Sequence, residues 1–148
     1  MAIRPANAAD LPALIALERS TSEAAHWSAE QYEIALSGAS APRVFLVFED
    51  ESRLEGFLVA RCAEFEWELE NLAVALGHRR LGIGRGLLDA LIDSARAASA
   101  EAIFLEVRAS NVAARALYEK SGFIHNGTRP RYYREPDEDA AIYCLSFV

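Results

Sequence analysis

The chain has 148 residues, of which 52% are hydrophobic and 25% are charged. This length and composition predict one folded domain, residues 1–148, with a core of its own, and they indicate a globular rather than a disordered protein. The formal net charge of −7 argues against direct binding to nucleic acid and favours a cationic partner.

The first residues contain no apolar segment of the kind that directs export, and no run in the sequence approaches the length of a membrane span. We therefore expect a cytoplasmic protein without a membrane partner. The three histidines and two cysteines are scattered without the spacing of metal ligands, so we expect no metal site.

The first half of the chain alternates helical and strand-like patterns. In chain order these patterns predict a strand at 2–4, a helix at 10–19, a short helix from 28 to about 38, and strands at 43–49 and 54–63. Ser28 and Gln31 form a capping box that opens the short helix.

An acidic strand follows, in which acidic and apolar residues alternate strictly over residues 64–69. Its acidic face consists of Glu64, Glu66 and Glu68, and Glu70 extends that face. Two interpretations are open: a solvated sheet face, or a line of carboxylates that attracts a cationic substrate. Residues 72–74 then become apolar.

Residues 79–88 form a glycine-rich basic turn that leads into the strongest helical pattern of the chain, predicted at 82–98. Glycines let the backbone approach an anion closely, and the first N–H groups of a helix have no partner within it. With arginines beside these groups, the pattern indicates a phosphate site. The alternative is an ordinary glycine loop before a core helix. The spacing fits neither a dinucleotide-binding turn nor a Walker A loop.

The last third predicts an apolar strand at 102–107, a helix at 111–120 with Ser110 as its cap, and strands at 123–126 and 140–147. Glu106 lies between apolar neighbours, so it is solvated, paired or functional. The simplest pairing is with Arg108 or another arginine. Tyr118 shares a helix face with Asn111, two turns earlier, and is either a half-buried aromatic or a functional group.

Four segments resemble, in order along the chain, the motifs of the GCN5-related N-acetyltransferase (GNAT) superfamily. They are Asn71-Leu72-Ala73-Val74, Arg79-Arg80-Leu81-Gly82-Ile83-Gly84, Leu105-Glu106-Val107-Arg108-Ala109-Ser110-Asn111 and Ala116-Leu117-Tyr118-Glu119-Lys120-Ser121-Gly122-Phe123. The third segment, Trp27-Ser28, and the segments 129–133 and 138–140 are similar in particular to the ribosomal-protein alanine N-acetyltransferases. The resemblance implies an α/β fold with a mixed, mostly antiparallel central sheet flanked by helices.

The resemblance also implies a set of roles. Acetyl-CoA would be the cosubstrate, and the acceptor would be a protein N-terminus, that of a ribosomal protein. Glu106 takes the position of the proton acceptor and Tyr118 that of the proton donor. The cofactor-binding residues would be Leu72, Ala73, Val74, Arg79, Arg80, Leu81, Gly82, Ile83, Gly84, Arg85 and Asn111. The substrate-side residues would be Trp27, Glu68, Glu70 and Tyr132. Segment 75–78 departs from the family's usual turn, so its path is not predicted.

The chemistry suits these residue types. An α-amino group has a pKa near 8, so a proton must leave before the nitrogen can attack a thioester. A carboxylate can take that proton, the backbone N–H of Val74 can stabilise the oxyanion, and a tyrosine can protonate the departing thiolate. Two alternatives are open: an acetyltransferase of a small-molecule amine, and a CoA-binding module without catalysis. The second needs the phosphate loop but neither Glu106 nor Tyr118.

Overall fold

The computed structural model describes residues 2–21, 27–39, 41–78, 81–134 and 136–148. Its elements in chain order are β1 (Ala2–Pro5), α1 (Leu11–Ser20), α2 (Ala29–Ser37), β2 (Arg43–Asp50), β3 (Arg53–Ala63), β4 (Glu66–Val74), α3 (Ile83–Ala97), β5 (Ala102–Arg108), α4 (Val112–Lys120), β6 (Ile124–Tyr133) and β7 (Glu138–Ser146), with short 3-10 helices at Ala8–Asp10 and Leu76–His78. None of the helices in these ranges is long and apolar enough to cross a membrane.

The strands form a seven-stranded sheet in the order β1-β2-β3-β4-β5-β7-β6. The β4–β5 pair is parallel and every other pair is antiparallel. The predicted mixed, mostly antiparallel sheet is therefore confirmed. The main difference from the predicted elements is β6, which continues to Tyr133, well beyond the short strand that its apolar residues indicated.

The two faces of the sheet carry separate cores. On the first face α3 and α4 pack against β3, β4, β5 and β7. The predicted inward stripe of α3 is buried there and consists of Leu87, Leu88, Leu91, Ile92 and Ala95. On the second face α1 and α2 cover β2, β3 and β4. The second face of β5 lies outside that core.

Local signals account for the ends of two helices. Ser28 and Gln31 form the predicted capping box at the start of α2, and Gly38 ends that helix in the left-handed conformation with φ of 69°. Gly82 precedes α3 with φ of 81°, a conformation that glycine adopts at little steric cost.

Register shifts interrupt the described ladders at four points, two of which lie next to predicted site residues. The β3–β4 register shifts between Val59 and Ala60, opposite Glu70. The β6–β7 register shifts between Arg129 and Tyr133, where three residues of β6 face one residue of β7. Such bulges redirect the side chains that follow them. Both lie on strands that carry predicted site residues.

Candidate active site

Strands β4 and β5 part halfway along their length. Their pairing ends at Glu68 and Phe104, beyond which β4 continues beside β3 alone and β5 beside β7 alone. The N–H of Ala75 donates to the carbonyl of Glu55 on β3 at 2.8 Å. Because successive N–H groups of a strand point to opposite edges, the N–H groups of Leu72 and Val74 point away from β3 and into the gap.

The N-terminus of α3 lies beside this gap. The first intrahelical bond runs from the N–H of Gly86 to the carbonyl of Gly82, and no side chain caps the helix. The N–H groups of Ile83, Gly84 and Arg85 therefore precede the first bond of the helix, and they carry its partial positive charge. No acidic residue lies in the first turn.

Gly84 brings this helix end close to two other elements. A Cβ built at Gly84 would lie 3.3 Å from Leu117 Cδ2 on α4 and 3.8 Å from Val74 Cγ2 on β4. Arg85 points to the surface, where its Nε lies 3.1 Å from Asp89 Oδ1, and the Leu81 side chain is exposed. Arg79 and Arg80 lie outside the described residues. The segment before them forms the 3-10 helix Leu76–His78, with His78 Nδ1 3.2 Å from Glu55 Oε2.

Glu106 points to the second face of β5, because its neighbours Leu105 and Val107 are buried in the core of the first face. Its Oε1 lies 2.9 Å from Arg129 Nη2. Its Oε2 is buried, and no described group is in hydrogen-bonding geometry with it. The carboxylate thus has one oxygen in an ion pair and a buried second oxygen, and a hydrogen bond to this carboxylate also contributes to the raised pKa of Tyr132.

Tyr118 lies on the other side of the sheet. It is 7% exposed and packs between Phe123 and Tyr143, with ring centroids 5.9 and 6.2 Å away. Burial, and to a lesser extent Tyr133, raise the pKa of Tyr118 above its ordinary value. The hydroxyl therefore stays protonated over the working range of most enzymes. Tyr118 and Glu106 reach β5 from opposite faces.

Tyr132 and Tyr133 end β6 above the second face of β5. The guanidinium of Arg129 lies over the Tyr132 ring, 5.1 Å from its centroid, and the Tyr132 side chain is 48% exposed. Burial and then the charge of Glu106 raise the pKa of both tyrosines, that of Tyr133 to about 12. Arg129 and Tyr133 are thus neighbours of Glu106 that the predicted site omitted.

The predicted alternative partner of Glu106, Arg108, makes other contacts. Its guanidinium donates to the carbonyl oxygens of Arg134 at 2.8 Å and Pro136 at 3.0 Å and reaches Glu138 Oε1 at 3.4 Å. The contacts of Glu106 with Arg129 and its neighbours had only a weak signal in the sequence, because the basic and aromatic segment 129–133 lies far from β5 in the chain. Only the pairing of β7 with both β5 and β6 brings that segment to Glu106.

The acidic row is not uniform. Glu68 lies on the second face, where loss of solvent and the nearby charge of Glu70 raise its pKa against the opposing effect of Arg61. Glu70 stands at the register shift, and its Oε1 accepts from Arg43 Nε at 2.8 Å. Glu70 therefore stays beside Glu68, although the bulge puts it outside the register with β3. The alternation predicted from Glu64 begins only at Glu66, because Glu64 and Phe65 form the turn before β4, with Glu64 at φ of 47°.

Two further predicted residues have structural contacts. The backbone N–H of Trp27 donates to Glu18 Oε1 at 3.0 Å. The Trp27 ring packs in the core of the second face, with its centroid 5.2 Å from that of the Tyr32 ring. Asn111, rather than Ser110, caps α4, and its Oδ1 accepts from the N–H of Ala114 at 3.1 Å. Within the described ranges no three His, Cys, Asp or Glu side chains are grouped so that they could hold a metal ion.

Comparison with known proteins gives a consistent result. The profile of the Acetyltransferase (GNAT) family matches residues 11–123. The ribosomal protein bS18-alanine N-acetyltransferase of Escherichia coli strain K12 is 35% identical over 140 residues, which are 92% of this chain and 90% of that protein. N-alpha-acetyltransferase RimI of Mycobacterium tuberculosis is 43% identical over 82 residues, which are 55% of this chain and 50% of that protein.

Structural comparison extends the likeness to the whole fold. The crystal structure of the ribosomal-protein-S18-alanine N-acetyltransferase from Escherichia coli superposes with a TM-score of 0.86 at 32% identity. The superposition covers 98% of this chain and 92% of that chain. The similarity therefore includes the gap between β4 and β5 as well as the hairpin of β6 and β7.

Proposed function

This chain belongs to the GNAT family of acetyltransferases, and from that premise we propose that it acetylates the α-amino group of a protein N-terminus that begins with alanine. The acetyl donor is acetyl-CoA and the acceptor is a ribosomal protein. The observation that carries the proposal is Glu106, whose buried Oε2 lacks a described partner while Oε1 is held by Arg129. A carboxylate oxygen in this state is suited to receive a proton from an amine.

The N-terminus of α3 fits the pyrophosphate of acetyl-CoA. Its uncapped N–H groups, its partial positive charge and the absence of an acid in the first turn all favour an anion there. Gly84 keeps this helix end within van der Waals reach of Val74 and Leu117, where a larger side chain would crowd both. The pantetheine arm would follow the free edge of β4 at residues 72–74.

The reaction needs two proton transfers and one stabilised charge. Glu106 Oε2 accepts the proton that leaves the amine, directly or through a water molecule. The amine nitrogen bonds to the acetyl carbon, and the carbon–sulfur bond breaks. The N–H of Val74, which points into the gap, donates to the carbonyl oxygen as negative charge develops there. Tyr118 supplies the proton that the departing thiolate takes up, and it regains a proton through solvent from the nitrogen, which loses its second proton as the amide forms.

The opposite positions of Glu106 and Tyr118 support this division of roles. The thioester of an acetyl-CoA bound in the gap between β4 and β5 would have one side toward the second face of the sheet, where Glu106 and Tyr132 lie. Its other side would be toward α4, where Leu117, the neighbour of Tyr118, lies beside Gly84. The amine and the thiolate are on different sides of the acetyl carbon, so separate groups must handle the two protons.

Two observations support a protein N-terminus as the acceptor. The relative from Escherichia coli, whose name states a ribosomal-protein alanine substrate, covers 92% of this chain. Glu68 also stands on the second face within the electrostatic reach of Glu106 and Arg129. A carboxylate there attracts an ammonium group and the basic residues that follow it in a ribosomal protein. A small-molecule amine is the competing acceptor.

A peptide assay tests this proposal. Alanine-initiated basic peptides with free N-termini should be acetylated, whereas the same peptides with blocked N-termini and internal lysines should not react. Replacing Glu68 by Gln should raise KM for a basic peptide by several-fold and weaken its salt dependence. Glu101→Gln, an equal change of charge at an exposed position before β5, is the control. Modification of internal lysines alone, or equal KM values for basic and neutral peptides, would exclude this acceptor.

A further inference from the structure

Arg108 ties the end of β5 to the β6–β7 hairpin through four contacts. Nη2 donates to the Arg134 carbonyl at 2.8 Å, and Nη1 donates to the Pro136 carbonyl at 3.0 Å. Nη1 also lies 3.4 Å from Glu138 Oε1. The guanidinium covers the Tyr133 ring at 4.6 Å from its centroid. One side chain thus contacts the end of β6, the turn and the start of β7.

The hairpin needs such a tie because its own ladder is interrupted. Between the Arg129–Ala140 and Tyr133–Glu138 pairs, residues 130–132 bulge out of register. Within this bulge Arg131 has φ of 51°, a left-handed conformation that is costly for a residue with a Cβ, and its N–H donates to Asp139 Oδ1 at 2.9 Å. Contacts from outside the hairpin therefore add to the few within it that position the adjacent tyrosines.

A second tie holds the same segment, but it is more exposed. The Glu106–Arg129 ion pair has side-chain exposures of 19% and 56%, and Arg129 lies before the bulge. The Arg108 side chain is 26% exposed and lies beyond the bulge. Its planar fork donates to two fixed carbonyl oxygens, a geometry that an ammonium group cannot reproduce. Tyr132 and Tyr133 lie between the two ties.

We propose that Arg108 is a positioning residue, which fixes the β6–β7 hairpin over β5 and so completes the acceptor side of the site. This inference rests on the proposed function. Arg108 touches neither α3 nor the free edge of β4 among the contacts described, so it acts on the acceptor and leaves the binding of acetyl-CoA unaffected. Its position two residues after Glu106 places the tie and the base on the same face of one strand.

Steady-state kinetics of three variants test the role. Arg108→Gln should raise KM for an alanine-initiated peptide by about 10- to 100-fold, because small displacements of positioning groups have effects of that size. KM for acetyl-CoA should stay within about twofold. Arg108→Lys keeps the charge but loses the fork, so it should recover only part of the peptide affinity. Asp137→Asn is the matched control, since it removes an exposed ion pair with Arg134 in the same turn without contacting β5.

Trypsin sensitivity gives a readout that does not depend on activity. The bonds after Arg131 and Arg134 lie in the hairpin end, so Arg108→Gln should be cut there at least about tenfold faster than the wild-type protein or Asp137→Asn. Cooperative thermal unfolding identifies a variant that has lost its fold, in which case Arg108→Lys replaces it. Cutting at the wild-type rate, an unchanged peptide KM, or an equal rise in KM for acetyl-CoA would overturn the inference. If the wild-type enzyme acetylates no peptide N-terminus, the proposed function fails and the cutting rates alone decide the role of Arg108.

Discussion

Glu106 is a charged residue on a strand whose neighbours are buried and apolar, and such a residue is stable only with a partner or with access to water. The sequence limits it to those states without choosing between them. The structure shows the paired state at Oε1, which Arg129 holds, and leaves the buried Oε2 without a described partner. The partner could not be predicted, since Arg129 is 23 positions away and reaches β5 only through β7.

Two substitutions test the proton-transfer roles. Glu106→Gln and Tyr118→Phe should each lower kcat by roughly 10²–10⁴-fold with little change in KM for acetyl-CoA, because each removes one proton-transferring group. Tyr118→Phe retains the aromatic contacts with Phe123 and Tyr143, so the fold should persist. The measurement is initial rate with the alanine-initiated peptide, and Glu101→Gln is the control for loss of an exposed carboxylate.

The pH dependence separates a catalytic from a structural role of Glu106. The amino group of the peptide has a pKa near 8, so above that pH it loses its proton without assistance. The deficit of Glu106→Gln should therefore shrink as the assay is moved from pH 7 to pH 9.5. An equally large deficit at both pH values would mean that the substitution damages the site in another way.

At the scale of elements, prediction succeeded where the determining contacts are local. The cap of α2, its end at Gly38 and the buried stripe of α3 depend on residues within one or two turns, and all three are confirmed. The bulges in β4 and β6 depend on the register of a neighbouring strand. A single-strand pattern contains no record of that register, so the acidic residues up to Glu70 could not show that the pairing with β3 shifts at Glu70.

The same distinction divides the candidate site. The proposed cofactor side uses residues that are close in sequence, at the end of β4 and the start of α3, so motif spacing is able to indicate it. The acceptor side joins β4, β5 and the β6–β7 hairpin, which are distant in sequence. Sequence reasoning named Glu68, Glu106 and Tyr132 there and offered Arg108 or another arginine as the partner of Glu106, but it did not identify Arg129 as that partner.

The N-terminus of α3 offers a charge test at the scale of an element. Gly84→Glu adds an acid to the first turn, which repels a pyrophosphate, whereas Gly84→Gln adds the same bulk beside Val74 and Leu117 without the charge. We expect the affinity of Gly84→Glu for CoA to be lower than that of Gly84→Gln by about tenfold or more, measured by calorimetry. Ala97→Glu adds the same charge to the exposed C-terminal end of α3 and should leave the wild-type affinity unchanged. Equal affinities of Gly84→Glu and Gly84→Gln would contradict CoA binding at this helix end.

At the scale of the whole molecule, one ion-pair network joins the N-terminal segment to the sheet. Arg4 on β1 binds Asp10 through two hydrogen bonds of 2.9 Å and also contacts Glu49 on β2 at 3.0 Å. Asp10 is buried, and its Oδ2 accepts from the N–H of Asn7 at 2.8 Å. The hydrogen bond from Arg4 is the main reason that the pKa of Asp10 lies below its ordinary value.

This lowered pKa fixes the sign of a stability prediction. A carboxyl group with a lower pKa in the folded than in the unfolded chain stabilises the fold above its unfolded pKa, near 3.9, and loses that effect as the pH falls through the folded value. Asp10→Asn should therefore lower the free energy of unfolding by about 1–3 kcal/mol at pH 7, measured by urea denaturation. The difference from the wild-type protein should shrink in a series from pH 7 to pH 3. Asp89→Asn, which breaks the half-exposed pair with Arg85, should have little effect throughout. A deficit of Asp10→Asn that is as large at pH 3 as at pH 7 would show that packing, rather than the charge of Asp10, holds this end of the chain to the sheet.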